Sequence, residues 1–595
     1  MRQRDNLRVS AHTVAWLEYD PGEAVNQLWC LRGGTPVRLT DATFSIRSAV
    51  NGYGGGAMCL DRYMAYVVEL SSQQIVCVDC RSGARRQISK DSQGQFGGLV
   101  WDAARRRLLA VREDRDDGTG VRQQLVAITP RTGQVTVLAE GEDFYGTPAI
   151  ASDGRSLAWV TWSLPDMPWL TSRLWQADVT ELGELARVRA LDPPMPASVQ
   201  QPGFAHGKLV ALSDHRGWWQ PFLVSETDNG VEWQGLEDRE ADHANAPWQL
   251  AEQHAVALYG GGRAWVCYHQ GYGELWWRAQ ADSEPRRLLS HCVDFRALQA
   301  RGDQLFCIAR HPDAMDSVMA VDPQSGQWRR LAGGEQPVAA DQCVMATGMA
   351  LPVPDGQAHL FYYPAAKAHD RLPPVIVRVH GGPTSAAYPV FDPQTQYWVQ
   401  HGFSVVDVNY RGSSGFGRAY RLALAGRWGQ LDVEDARAAV SCLSQKGLVD
   451  GDRAYIQGRS AGGFTVLMAM LDSDCFRAGA SLFGVSDPSR LRSMTHRFES
   501  GYLDWLLGDP LEHGERWRAR TPVDHGHRIR RPMIFFQGGQ DRVVVPEQTE
   551  AMVAALEANG QPVSYHYFPE EGHGFRRAER QAFLLEALLA FYDAH

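Results

Sequence analysis

The chain has 595 residues, 44% of them hydrophobic and 22% charged, and its formal net charge is −10 at pH 7. This composition is typical of globular proteins with buried cores and argues against an intrinsically disordered chain. The mild acidity comes without a run of like charges, which argues against nucleic acid or an anionic membrane as a partner. At about 150 residues per domain, the length allows two to four domains.

The N-terminus and the cysteines favour a cytoplasmic protein. Residues 1–8 carry charges, but the apolar stretch of a secretory signal does not follow them, and no run of about 18 apolar residues occurs. The 10 cysteines are scattered, mostly in apolar runs, as expected of free thiols in a reducing compartment. Cys77 and Cys80 form an isolated C-x-x-C pair, which is a weak zinc signal. We therefore expect neither a metal nor a cofactor.

Residues 1–345 alternate short apolar runs with turns, which predicts an all-β domain. Seven apolar runs recur at intervals of 41 (305 − 264) to 55 (264 − 209) residues. They begin at Val14, Met64, Leu108, Leu157, Leu209, Ala264 and Leu305. The period is close to that of four-stranded propeller blades, so we predict a seven-bladed β-propeller. A pair of β-sandwiches is the alternative, which the regular spacing disfavours.

The pattern changes around residues 353–356, and we predict that residues 346–595 form a separate domain. Apolar strands alternate there with amphipathic helices, which is typical of a doubly wound, mostly parallel sheet. The predicted strands cover residues 375–379, 404–408, 454–457, 480–483, 533–536 and 563–567, and the predicted helices include 432–440 and 549–556. Ligands bind such sheets beyond the carboxyl ends of the strands, so functional residues should follow strand ends.

Ser460 lies at the centre of a Gly-x-Ser-x-Gly pattern that runs from Gly458 to Gly462, between a predicted strand and a helix-like run. In an α/β-hydrolase, such a serine occupies a sharp strand-to-helix turn that exposes its hydroxyl group. The flanking glycines leave room for the strained backbone. We therefore predict that Ser460 is a nucleophile. The alternative is a glycine-rich turn with an incidental serine.

A serine nucleophile needs a base and an acid that orients the base, and α/β-hydrolases present them in the order serine, acid, histidine. Asp541 follows the strand at 533–536, and His573 follows the strand at 563–567 in a glycine-flanked loop. The separations, 541 − 460 = 81 and 573 − 541 = 32, leave room for the elements between them. Each residue alone could be structural, but the three together predict a catalytic triad.

Acyl transfer also needs N–H donors aimed at the developing oxyanion. The amide of Ala461, directly after Ser460, is the first candidate. The second is Gly382, in the run His380-Gly381-Gly382-Pro383 that ends the strand at 375–379 and resembles the oxyanion loops of hydrolases. The alternative for this run is a strand-ending turn without a catalytic part.

Motifs in both halves resemble the prolyl oligopeptidase family of serine peptidases, in its dipeptidyl aminopeptidase and acylaminoacyl peptidase branch. The similarity extends over nearly the whole chain. The chain resembles most strongly the bacterial aminopeptidases of this family, which include a puromycin hydrolase. The segments that carry it are residues 53–56, 167–169, 380–383, 409–415, 458–463, 495–500, 538–541 and 571–575. The chain departs from the family pattern at Gly52, where relatives often carry glutamate, and at Leu170, where aspartate is usual.

The resemblance implies an α/β-hydrolase domain preceded by a propeller that admits only short or unfolded peptides. It implies Ser460 as nucleophile, His573 as general base and Asp541 as its orienting acid. Phe498 and Tyr502 match positions that line the pocket for the residue before the scissile bond, which implies an apolar preference. The alternative for both aromatics is ordinary core packing.

We therefore expect a serine exopeptidase that acts as an aminopeptidase or dipeptidyl aminopeptidase on short peptides or aminoacyl amides. An acylaminoacyl peptidase, an antibiotic-amide hydrolase and an esterase are the alternatives on the same scaffold. A propeller-based binding protein with an inactive hydrolase domain is the non-enzyme alternative. Selection of a free amino terminus needs a carboxylate partner, for which Asp242 and Glu499 are candidates. Association into a homodimer or higher homo-oligomer is compatible with the fold.

Overall fold

The computed structural model of the chain describes residues 2–115, 121–228, 230–367, 371–471 and 474–595. It divides into two compact units, Met1–Glu335 and Gln336–His595. The boundary therefore lies before the predicted one at residue 346. The connecting segment belongs to the second unit because the Gln396 side chain donates to the Val344 carbonyl (2.8 Å) and accepts from its amide (3.0 Å).

The first unit contains seven antiparallel sheets, each built from consecutive strands. The first sheet comprises β1 (Gln3–Val9), β2 (Val14–Asp20), β3 (Val25–Arg32) and β4 (Thr35–Arg38). The second comprises β5 (Met58–Asp61), β6 (Met64–Val68), β7 (Ile75–Asp79) and β8 (Arg85–Gln87). The third comprises β9 (Gly94–Asp102), β10 (Arg107–Asp114), β11 (Gln123–Ile128) and β12 (Val135–Glu140).

The remaining four sheets follow the same plan. The fourth comprises β13 (Phe144–Tyr145), β14 (Ala149–Ile150), β15 (Ser156–Trp162), β16 (Arg173–Val179) and β17 (Leu185–Ala190). The fifth comprises β18 (Val199–Ala205), β19 (Lys208–Ser213), β20 (Gln220–Thr227) and β21 (Gly230–Gly235). The sixth comprises β22 (Ala255–Ala257), β23 (Arg263–His269), β24 (Tyr272–Arg278) and β25 (Arg286–Leu288), and the seventh β26 (Asp294–Arg301), β27 (Gln304–Arg310), β28 (Ser317–Val321) and β29 (Trp328–Gly333).

Apolar side chains join neighbouring sheets into a ring of seven blades. The second strand of a blade is buried on both faces because a neighbouring blade packs on each side, as the almost fully buried β15 illustrates. The first and seventh blades meet through one apolar cluster, formed by Leu7, Val14, Trp16, Phe306, Ile308, Val318, Ala320 and Leu331. At the same seam, Arg4 pairs with Glu335 (3.3 Å) and donates to the carbonyl of Asp316 (2.6 Å). The predicted seven-bladed propeller is confirmed.

The second unit is built on one eight-stranded sheet, in the order β30-β31-β33-β32-β34-β35-β36-β37. The first three strands in this order pair antiparallel, and the rest pair parallel. The strands are β30 (Thr347–Val353), β31 (Gly356–Tyr363), β32 (Val375–Val379), β33 (Ser404–Asn409), β34 (Ala454–Arg459), β35 (Ala478–Leu482), β36 (Met533–Gly538) and β37 (Val563–Phe568). This is the predicted α/β-hydrolase sheet, and the fold class is confirmed.

Helices connect the parallel strands. The α-helices are α1 (Pro393–Gln400), α2 (Arg418–Leu422), α3 (Leu431–Gln445), α4 (Ala461–Met470), α5 (Pro488–Met494), α6 (Tyr502–Leu507), α7 (Gly514–Ala519), α8 (Pro546–Ala558) and α9 (Ala578–Ala594). Three 3₁₀ helices cover Gly451–Arg453, Arg497–Glu499 and Pro522–Arg528. Among the described helices, none has both the length and the apolar character needed to cross a membrane.

The two antiparallel strands at the start of the sheet were not predicted from the sequence. The turn at residues 353–356, interpreted as a change of pattern between domains, closes the hairpin of β30 and β31. Asp355 adopts a positive φ of 66° in this turn, as short polar side chains do most readily. The turn at residues 353–356 therefore marks a hairpin inside the second unit and not the boundary between the two units.

Candidate active site

Ser460 occupies the sharp turn between β34 and α4. Its backbone angles are φ 54° and ψ −121°, a strained conformation for a residue with a side chain. The amide of Ser460 donates to the carbonyl of Leu482 on the neighbouring strand β35 (3.0 Å), which fixes the turn against the sheet. A serine held in this way projects its hydroxyl from the carboxyl edge of the sheet.

The glycines around Ser460 are required by close packing as well as by backbone conformation. A Cβ atom on Gly458 would lie 2.8 Å from Val379 Cγ2 and still closer to the carbonyl group of Gly462. A Cβ atom on Gly463 would approach the Cα of Gly484 to 2.5 Å. The motif therefore allows the β34–α4 turn to sit against β32 and the segment after β35 with no side chain between them.

Asp541 and His573 meet beyond the carboxyl ends of β36 and β37. His573 Nδ1 and Asp541 Oδ2 form a hydrogen bond of 2.8 Å. The Asp541 side chain is fully buried, and its Oδ1 accepts from the amides of Val543 and Val544, both at 2.9 Å. The His573 side chain is 22% exposed. An imidazole held at Nδ1 by a buried carboxylate keeps Nε2 available to accept a proton.

The loops that carry Asp541 and His573 pack tightly on each other. The amide of Gln540 donates to the carbonyl of Glu571 (2.8 Å). A Cβ atom on Gly538 would lie 2.5 Å from the carbonyl oxygens of both Glu571 and Gly572. Only a glycine at the end of β36 lets the two loops come this close, so Gly538 sets the distance between acid and histidine.

Adjacent residues of the β35 end contact both Ser460 and His573. Leu482 accepts the Ser460 amide, and the ring of Phe483 meets the His573 ring edge-on with centroids 4.7 Å apart. Within the described part of the chain, Ser460 Oγ and His573 form no hydrogen bond. Such a bond is often long or misaligned without substrate and tightens when substrate binds.

The run from His380 to Pro383 lies beside the Ser460 turn. A Cβ atom built on Gly381 would lie 3.6 Å from the Cβ of Ser460. Gly382 has a φ of 119°, which strongly favours glycine. Ala461 occupies the first position of α4, where a helix leaves its amides without intrahelical partners. The two predicted oxyanion donors thus lie in segments that flank the serine.

Tyr410 holds the run from His380 to Pro383 in place, a role that its sequence position alone does not predict. Its hydroxyl group lies 3.1 Å from the carbonyl oxygens of His380 and Pro383 and 3.2 Å from His380 Nδ1. His380 Nε2 and Ser413 Oγ form a hydrogen bond of 2.7 Å. Burial lowers the pKa of His380 to about 4 and raises that of Tyr410 well above its ordinary value, so both stay neutral at pH 7.

The signal for Tyr410 in the sequence is limited to its place in a family segment. Residues 409–415 are among the segments that carry the family resemblance, which by itself gives Tyr410 no role. The structure adds that Tyr410 and Ser413 lie directly after β33, next to β32 in the sheet, and therefore reach the loop that follows β32. Strand order, which the sequence does not reveal, determines this contact.

Phe498 and Tyr502 are 2% and 3% exposed. The Tyr502 hydroxyl shares a hydrogen bond of 2.6 Å with Thr384 Oγ1 and accepts from the Thr384 amide (3.0 Å), two residues after Gly382. Tyr502 is therefore attached to the predicted oxyanion loop. Phe498 lies in the 3₁₀ helix that precedes α6. The assignment of both rings to a substrate pocket stays a prediction.

The two candidate carboxylates for a substrate amine have different surroundings. Asp242 lies in the first unit, is fully buried, and accepts the amide of Trp219 (2.9 Å). Glu499 lies next to Phe498, with its side chain 13% exposed and its Oε2 3.4 Å from His496 Nε2. Its charge also acts on Tyr502, whose pKa is raised mainly by burial.

Comparisons with known proteins identify relatives of this chain. Residues 389–595 match the family model described as the prolyl oligopeptidase family. A puromycin-hydrolyzing peptidase of Mycobacterium tuberculosis has a solved structure with a TM-score of 0.93 at 30% identity, covering 99% of this chain and 94% of that chain.

Two curated relatives match a shorter part of the chain. The dipeptidyl aminopeptidase BIII of Pseudoxanthomonas mexicana is 32% identical over 212 residues, which cover 35% of this chain and 31% of the relative. The acylamino-acid-releasing enzyme of Arabidopsis thaliana is 28% identical over 225 residues, which cover 36% of this chain and 29% of the relative. The chain thus matches less than a third of the length of these relatives.

Proposed function

This chain belongs to the prolyl oligopeptidase family of serine-type peptidases, and on that premise we propose that it is a serine exopeptidase that removes residues from the amino terminus of short peptides or aminoacyl amides. The observation that carries the proposal is the hydrogen bond of 2.8 Å between His573 and the buried Asp541, together with the strained turn that holds Ser460. This combination of groups is the one that acyl transfer by a serine requires.

In the proposed mechanism, Ser460 Oγ attacks the scissile carbonyl carbon while His573 Nε2 accepts the hydroxyl proton. The amides of Gly382 and Ala461 donate to the resulting oxyanion. His573 then gives its proton to the leaving amine, and the C–N bond breaks to leave an acyl-enzyme. A water molecule, deprotonated by His573, hydrolyses the ester, and Ser460 regains its proton. Asp541 keeps the proton of the neutral imidazole on Nδ1 throughout.

We assign the substrate amino group to Glu499 rather than to Asp242. Glu499 is close enough to Tyr502 for its charge to act on that residue, and Tyr502 is bonded to the predicted oxyanion loop. The Asp242 carboxylate is fully buried and accepts a backbone amide, whereas the Glu499 side chain is 13% exposed and its neighbours are the side chains of Thr495 and His496. An ammonium group next to Glu499 would gain a charge-assisted hydrogen bond, which favours a free amino terminus over an acylated one.

We also propose that the enzyme prefers substrates with an apolar residue before the scissile bond. The aromatic residues Phe498 and Tyr502 lie on either side of Glu499 in the sequence and would line the pocket for that residue. The alternatives follow from the names of the relatives, one of which releases acylamino acids while another hydrolyses puromycin. An esterase would use the same serine chemistry on an easier bond. An acylaminoacyl peptidase differs from an aminopeptidase in the charge next to the reacting carbonyl group, and an esterase differs in the leaving group, so a substrate series that varies both separates them.

The first experiment tests the nucleophile. Ser460→Ala should fold like the parent chain and lose turnover by several orders of magnitude, by analogy with the roughly 10⁶-fold loss in a related triad system. An active-serine phosphonate should label the parent chain and spare the variant. Labelling of neither protein would support the binding-protein alternative with an inactive hydrolase domain.

The second experiment tests the amine partner with free-amine, N-acetylated and ester versions of one apolar aminoacyl substrate. Glu499→Gln should raise KM for the free amine at least tenfold and leave the N-acetylated compound unaffected. Glu550→Gln, at an exposed position on α8, is the matched control. A parent chain that prefers the N-acetylated compound would be an acylaminoacyl peptidase, and the Glu499 assignment would then be wrong.

A cytoplasmic location and a homo-oligomeric state are also proposed. All 10 cysteines are free thiols, as expected in a reducing compartment. Fractionation of the native host tests the location, and sedimentation of the purified chain tests the oligomeric state.

A further inference from the structure

Two histidines and a cysteine converge where the sixth blade of the propeller leads into the seventh. His291 and Cys292 lie in the turn between β25 and β26, and His311 directly follows β27. One ligand atom from each of the three side chains lies within 4.8 Å of the other two. Cys292 is fully buried, His311 is 5% exposed, and His291 is exposed to solvent. An ion could therefore enter from the His291 side.

The hydrogen bonds of His311 turn one ring nitrogen toward the cysteine. His311 Nε2 and Ser317 Oγ are 2.7 Å apart, and His311 Nδ1 lies 3.5 Å from Cys292 Sγ. With Nε2–H donating to Ser317, the lone pair of Nδ1 faces the thiol. Ser317 thus orients the ring as partners behind a metal ligand commonly do.

The spacing of these atoms fits a tetrahedral ion. Zinc–sulfur and zinc–nitrogen bonds of about 2.3 and 2.05 Å, at a tetrahedral angle, separate the two ligand atoms by roughly 3.5 Å. The observed distance between Cys292 Sγ and His311 Nδ1 is 3.5 Å. The rings of His291 and His311 have centroids 6.0 Å apart and planes that differ by 27°, and the ligand atom of His291 lies within 4.8 Å of those of Cys292 and His311.

The kinds of donor atom narrow the choice of ion. Two imidazole nitrogens and one thiolate suit Zn²⁺ and related transition metals, and they disfavour Ca²⁺ and Mg²⁺, which take oxygen ligands. Cys292 binds the ion as a thiolate, so binding of one divalent ion releases the thiol proton.

We propose that His291, Cys292 and His311 bind one Zn²⁺ ion, with water in the fourth position, and that the ion ties the β25–β26 turn to the end of β27. The ion stabilises the last blade, since a ligand that binds only the folded state shifts the unfolding equilibrium. The proposal is independent of the peptidase reaction. Sequence spacing does not reveal this site, because its ligands come from two separate turns.

The test uses the full chain without an affinity tag, reduced and freed of metal by dialysis against a chelator. Zn²⁺ binding is measured by calorimetry, and Co²⁺ serves as an optical probe, since thiolate ligation gives a charge-transfer band in the near ultraviolet. We expect one ion per chain, the cobalt–thiolate band, and a higher melting temperature with Zn²⁺. Cys292→Ser should abolish the band, and His291→Ala should weaken Zn²⁺ binding at least tenfold.

The control is the double variant His525→Ala, His527→Ala, which removes a second pair of neighbouring histidines with ring centroids 6.4 Å apart. It should bind Zn²⁺ like the parent chain. Because His291 is exposed, its replacement should not disturb folding, so the test does not depend on Cys292→Ser alone. A cobalt band that is missing in the parent chain or present in Cys292→Ser overturns the proposal, as does loss of binding in the control.

Discussion

Replacing Asp541 by asparagine should inactivate the enzyme without unfolding it. In the parent structure, Oδ1 of Asp541 accepts two amides at 2.9 Å, and only Oδ2 faces His573. An asparagine must place its carbonyl oxygen toward the two amides, so its NH₂ group faces His573 Nδ1. The imidazole can then accept a hydrogen bond at Nδ1 only if its ring proton moves from Nδ1 to Nε2. In that tautomer Nε2 already carries a proton and cannot deprotonate Ser460.

The expected loss in kcat is about 10⁴-fold, the value known for the same change in another serine-protease triad. This corresponds to about 5 kcal/mol in the barrier, at 1.36 kcal/mol per factor of ten. The loss should appear in kcat with little change in KM, and phosphonate labelling should slow in parallel.

Asp322→Asn is a matched control, because Asp322 Oδ1 likewise accepts two amides in a turn, at 2.9 and 3.3 Å, but lies on the propeller surface. It should keep full activity. If Asp541→Asn retained more than a tenth of the parent kcat while melting normally, orientation of the histidine by this carboxylate would be refuted.

Three further predictions follow from the packing described above. Gly458→Ala should yield little folded protein, since its Cβ would overlap the carbonyl group of Gly462; measurable expression with an unchanged melting temperature would contradict this. Tyr410→Phe removes the hydroxyl donor next to the His380 carbonyl, and an unsatisfied carbonyl costs about 1–3 kcal/mol, whereas the Pro383 carbonyl still accepts the Ser385 amide. The loop that carries Gly382 should then shift, so kcat should fall roughly tenfold; an unchanged kcat would count against a positioning role. Burial lowers the pKa of His254 from 6.5 to about 4 in the folded chain. The free energy of unfolding should therefore fall as the pH drops from 6.5 toward 4, by up to about 3 kcal/mol from this group. In urea denaturation, His254→Gln should show a shallower dependence of this free energy on pH.

The features predicted from the sequence are those with a local signature. A strand, a glycine turn and a helix identify the Ser460 elbow, and the chain order of Asp541 and His573 follows from the strands that precede them. Blade repeats are local too, since each blade is a contiguous meander. These features depend on residues within a few positions of each other along the chain.

The features that the sequence did not reveal depend on which segments become neighbours in space. Tyr410 reaches the loop after β32 only because β33 pairs with β32 in the sheet. Gly538 is required because the loop carrying Glu571 folds back onto it. The hairpin of β30 and β31 was missed because its turn resembles a domain boundary. For Tyr410 and Gly538, the residue type is explained by a contact with a segment that is distant in the sequence.

The seam between the first and seventh blades has a consequence for the topology of the chain. No described strand crosses from one blade into the other, so side chains alone hold the ring closed there. The ion pair of Arg4 and Glu335 brings the two ends of the unit side by side. The ring of blades is therefore interrupted in the chain at one place, between the seventh blade and the first. If the propeller unit were taken without residues 336–595, a short linker between those ends would let new termini be opened between any two other blades, with every blade kept intact.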